Sequence, residues 1–83
     1  MINSQIQDTI LLAVGERWTK VAMVIARVAD TMGRNLPSGD EGYQAIAGEI
    51  DALVRAGRLM ARGNIKNWRF SEVRRSGHQE NSN

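Results

Sequence analysis

The chain has no cysteine, one proline, one histidine and only four aromatic rings in 83 residues. Without cysteine there is no disulfide framework and no thiolate metal site, and a single His78 cannot build a zinc cluster. Long apolar runs are missing as well. The longest, Val21 to Ala26, has six residues, against the ~20 needed to cross a bilayer. No positively charged stretch precedes an apolar segment at the N-terminus, so no secretory signal is read. These absences predict a soluble, cytoplasmic chain with no membrane partner. At this length one domain is expected, burying ~60% of the surface that its unfolded chain exposes, so its stability margin is thin.

Charge is present but unevenly placed. The chain carries 11 Lys+Arg against 9 Asp+Glu, a net charge of +2. That balance by itself is too weak to imply nucleic acid. Residues 35–54 hold only acids, Asp40, Glu41, Glu49 and Asp51. Residues 55–75 reverse the sign, with Arg55, Arg58, Arg62, Lys66, Arg69, Arg74 and Arg75 against Glu72. The basic character sits in one C-terminal segment.

The apolar spacing predicts three helices followed by a hairpin. Ser4-Gln5-Ile6-Gln7 fits a capping box, Ile6, Ile10, Leu11 and Val14 share a helical face, and Gly15 is placed to close that helix. A second helix starts between Glu16 and Thr19 and runs to Met32, with Trp18, Val21, Ala22, Ile25, Val28, Ala29 and Met32 inward. Met23 and Val24 widen its apolar band. A competing reading joins both into one long helix, because Leu11, Val14, Trp18, Val21, Ile25, Val28 and Met32 keep heptad spacing; Gly15 would then cost ~1 kcal/mol inside it. Gly33 to Gly39 is a loop by composition. Ser38 or Asp40 caps a third helix, whose inward set is Tyr43, Ile46, Ala47, Ile50, Leu53 and Val54, and which stops at Gly57. Residues 58–62 and 68–71 then alternate around a loop of about five residues, the pattern of a β-hairpin. Residues 4–75 form the domain, and 76–83, with no apolar side chain, form a disordered tail.

Three helices and a terminal hairpin are the order of a winged helix, and Leu53-Val54-Arg55-Ala56-Gly57-Arg58-Leu59 resembles a recognition helix turning into the first wing strand. More narrowly, Trp18-Thr19-Lys20-Val21-Ala22, the helix end Leu53 to Gly63 and Trp68-Arg69-Phe70-Ser71-Glu72-Val73-Arg74 resemble an uncharacterised bacterial domain family. Members of that family often stand behind a small α/β domain. The resemblance covers about residues 6–75 and implies an α+β fold: a three-helix winged helix with a C-terminal two-stranded β-hairpin as its wing.

Several constellations bear on function. Arg58, Arg62, Lys66, Arg69, Arg74 and Arg75 would set cations along a phosphate backbone, and such contacts supply most non-specific affinity. The bland alternative is a solvated hairpin whose charges protect an exposed edge. The outward face of the third helix opposes base reading: it carries Glu49 and Asp51, and only Gln44 and Arg55 suit base edges or phosphate. Trp68 and Phe70 flank Arg69 as a stacking platform would, but same-face strand rings more simply cover the core. Trp18 and Tyr43 fall on apolar helical faces and are read as core or core-edge residues.

Catalysis has no support. His78 lies in the tail, no cysteine can serve as nucleophile, and the acidic pairs are economically explained as caps and helix surface. Gly39-Asp40-Glu41-Gly42 lacks the Lys and the strand of a phosphate loop. No enzyme, cofactor or metal is expected. The reading is a small winged-helix regulator or accessory factor that binds DNA through Gln44, Arg55, Arg58, Arg62, Lys66, Arg69, Arg74 and Arg75. The alternative is a protein-interaction module using the acidic third helix or the apolar second helix.

Overall fold

The computed structural model describes residues 2–37, 39–64, 67 and 70–76, and the side chains of 2–4 and 34 lie outside that description. The expected tail beyond Ser76, the Ser38 cap, and the sites at Lys66, Trp68, Arg69 and His78 fall outside it too. The elements run α1 (Ile2–Ala13), β1 (Thr19–Lys20), α2 (Val21–Met32), a 3₁₀ turn (Gly33–Asn35), α3 (Asp40–Arg55), β2 (Leu59–Arg62) and β3 (Glu72–Arg75). The class is α+β, with three helices and an antiparallel sheet of order β1-β3-β2.

The helical faces carry the core. Ile6, Ile10 and Val14 meet Val21, Val24, Ile25, Val28 and Met32 from α2, and Ile46, Ala47, Ile50 and Leu53 from α3. Leu59 and Val73 close the cluster from the sheet. Val24 is buried whereas Met23 is 50% exposed, so the wide apolar band of α2 is only partly used by the fold. The continuous-helix reading fails. Residues 14–18 break the helix, and Thr19-Lys20 instead pairs with β3, Thr19 opposite Val73 and Lys20 opposite Glu72. That pairing also moves the start of α2 back to Val21, whose N–H donates to the Ser71 carbonyl at 2.9 Å.

Helix ends differ from the expected caps where tertiary partners intervene. Helix α1 begins at Ile2, before the expected Ser4 cap, so the capping box does not stand at its start. The Gln7 amide donates to Glu49 Oε1 on α3 at 2.8 Å. Gly15 is not in the left-handed region. The last carbonyls of α1 are met by Arg75, whose Nε donates to Leu11 O at 3.0 Å and Val14 O at 2.9 Å. At α3 the N-cap is Gly39, with φ +66° and no side-chain cap bond, so Asp40 and Glu41 sit in the first turn. Carboxylates there are favoured by the positive end of the helix dipole. The C-terminus follows expectation. Gly57, at φ +79°, donates to Val54 O, and Arg58 N–H donates to Leu53 O at 2.9 Å. This is the paired-bond closure that favours glycine.

The hairpin is longer than expected. Strand β2 follows the reading, but β3 is Glu72–Arg75 rather than 68–71, and Leu59 to Arg62 pair with Arg75 to Glu72. Val73 supplies the reason. It is fully buried, and pairing there sends its side chain into the core, which a strand four residues earlier would not.

Candidate functional site

Directly paired residues of a sheet point to one face. The register therefore sets Lys20, Glu72 and Arg62 in one row, with Met60 and Arg74 in the next. Val73 and Leu59 point the other way and are buried. The outer face is thus polar and basic, and it faces away from the helices.

Trp18 joins this face. It precedes β1 rather than lying on α2, and it is half-buried. The Arg62 guanidinium lies 4.1 Å from its ring centroid and that of Arg74 lies 5.0 Å away. Cations within ~6 Å of an indole face are held by its quadrupole. Arg62 also meets Glu72, Nε to Oε1 3.4 Å, with both side chains partly exposed. A pair so exposed contributes ~0–1 kcal/mol. Trp18 thus does not occupy the helical core face that its spacing predicts. The alternation Trp18-Thr19-Lys20 was the available signal, but three residues are too few to mark a strand.

The other expected contact residues separate into groups. Arg58 is exposed just after the Gly57 turn, and Gln44 is exposed on α3. Arg55 pairs with Asp51 at 2.9 Å one helical turn away. Arg75 gives its guanidinium donors to the end of α1, so it holds the fold rather than facing a ligand. Lys66 and Arg69 lie outside the described residues. The carboxylates expected to repel DNA are also less free than the sequence suggests. Glu49 is half-buried and accepts from Gln7, and Asp51 is held by Arg55.

Two aromatic assignments are corrected. Phe70 is 80% exposed and Tyr43 is 40% exposed, so neither is core. Phe70 sits ahead of the true β3, outside the strand that would have turned it inward. Tyr43 gives its place to Gly42, which is buried against the Pro37 carbonyl. Tyr43 instead lines a shallow cleft with Ala29, Leu36 and Pro37.

Among the described residues no group of three or more His, Cys, Asp and Glu could hold a metal ion. Among them, too, no helix is long and apolar enough to cross a membrane. Comparisons with family models, curated proteins and solved structures return no match for this chain.

Proposed function

We propose that this chain is a small winged-helix module that binds DNA through its basic C-terminal wing, as a regulator or accessory factor. One observation carries the reading. The outer face of the sheet sets Lys20, Arg62 and Arg74 against Glu72 alone, and Arg58 is exposed just ahead of β2. A face so biased attracts a polyanion, and the attraction is sequence-independent. The order helix, strand, helix, helix, strand, strand supports the winged-helix assignment, with the residues between β2 and β3 as the wing. The Arg55–Asp51 pair offsets one of the two carboxylates on the outward face of α3, which lowers the repulsion that helix would meet near a duplex.

Binding of this kind is steep in salt. Contacts from Lys20, Arg58, Arg62 and Arg74 imply a log–log slope of about −3.6, at ~0.9 per phosphate contact. A titration of random-sequence duplex across a salt series measures it. No binding at about 50 mM salt, with the domain folded, rejects the reading. A protein-docking role then comes first, resting on the exposed Met23 of α2 and the acidic start of α3.

A further inference from the structure

We propose that the outer face of the sheet, centred on Trp18, is a phosphate-binding site, with Arg62 and Arg74 as its paired guanidinium contacts and Lys20 beside them. The proposal rests on the DNA reading for the source of the phosphate, which is the duplex backbone. The site itself rests on geometry.

Both guanidinium groups lie within 5.0 Å of a single ring centroid, so they are close enough together to serve neighbouring phosphates of one backbone. Stacking on a ring restrains two long side chains that would otherwise lose rotamer freedom on binding. A guanidinium held over a ring keeps N–H donors at its edge, and such a planar set of donors suits a forked contact with phosphate oxygens.

The charges on this face are unbalanced. Lys20, Arg62 and Arg74 share it with one acid, Glu72. Glu72 is already engaged by Arg62, at 3.4 Å in a solvent-exposed pair, and such a pair yields readily to a stronger anion. Arg74 has no carboxylate partner among the described residues, so its charge is not offset by an ion pair within them. Its Nε is enclosed by the fold, which leaves its Nη nitrogens as the groups to meet a ligand. A phosphate over Trp18 supplies the missing negative charge. The sheet face, and not only the connection between β2 and β3, then carries affinity.

The test uses the full chain, a random-sequence duplex and inorganic pyrophosphate as separate probes. The readouts are the salt slope and the indole N–H resonance of Trp18, assigned with Trp18→Phe. Duplex should shift the Trp18 resonance. The double variant Arg62→Gln/Arg74→Gln should flatten the slope by about 1.8, for two lost contacts. Arg62→Lys/Arg74→Lys should keep the slope, because the charges remain, while weakening binding through loss of the fork and the stack. Far-UV spectra confirm that the variants fold. If the double Gln variant binds duplex with an unchanged slope, and Trp18 does not respond, the site is wrong and the DNA reading stands. If pyrophosphate moves Trp18 while duplex does not bind, the phosphate site stands and its assignment to DNA falls. Silence of Trp18 toward both probes overturns the site.

Discussion

Helix α3 contains two glycines, and the same substitution should have opposite effects at each. Gly48 lies mid-helix, exposed, and a Cβ there would meet nothing within 4 Å. Replacing glycine by alanine in a helix interior gains ~1 kcal/mol from backbone entropy and helix propensity. Gly48→Ala should therefore stabilise by about that amount, raising the thermal midpoint ~4–8 °C in a domain of this size. Gly42 is different. It is buried, and a Cβ there would collide with the Pro37 carbonyl oxygen and lie 3.7 Å from Leu36 Cβ. The obstacle is backbone, so it cannot swing aside as a side-chain tip would. Overpacking of this kind costs ~1–3 kcal/mol. Gly42 is also in the first turn, where the propensity gain is smaller. Gly42→Ala should thus lower the midpoint, by about 4 °C or more for each ~1 kcal/mol lost. Thermal unfolding followed by far-UV circular dichroism reads both variants. If both midpoints rise, the approach of α3 to the Pro37 segment is looser than described. If Gly48→Ala lowers its midpoint, that face of α3 is not open.

Three further substitutions probe the assignments that changed between sequence and structure. Arg75→Ala removes donors to Leu11 and Val14 carbonyls and a cation at a helix C-terminus; a loss of ~1–2 kcal/mol in urea unfolding is expected, with the DNA salt slope unchanged. A stable variant with a shallower slope would return Arg75 to the contact set. Ser71→Ala deletes a buried hydroxyl without a partner, so stability should stay level or rise by up to ~1 kcal/mol; a drop of that size would reveal a bond at Ser71 Oγ. Phe70→Ser should change stability by no more than ~0.5 kcal/mol, the usual range for an exposed site. A loss near ~3 kcal/mol would place the ring back in the core.

The three helices, most of their inward positions and the Gly57 stop could be read from the sequence because they depend on neighbours three or four residues away. Ile6, Ile10, Ile25, Val28, Ile46 and Ile50 repeat at helical spacing, and the core follows from that repeat. The basic bias of residues 55–75 was equally plain, since charge needs no fold to be counted. Tertiary structure decided the rest. Strand β1 is two residues long and exists only because Thr19 and Lys20 find Val73 and Glu72, partners more than fifty positions along the chain. Strand β3 starts at Glu72 because Val73 fits the core there, a matter of register that local alternation cannot resolve. The same long-range pairing turned Trp18 from a presumed helix-face residue into the ring beneath Arg62 and Arg74, and drew Arg75 to the end of α1. Which arginines remain available for phosphate was therefore set by packing. A cation's role depends on the carbonyl, ring or carboxylate that the fold brings within reach, and those partners lie far apart in sequence.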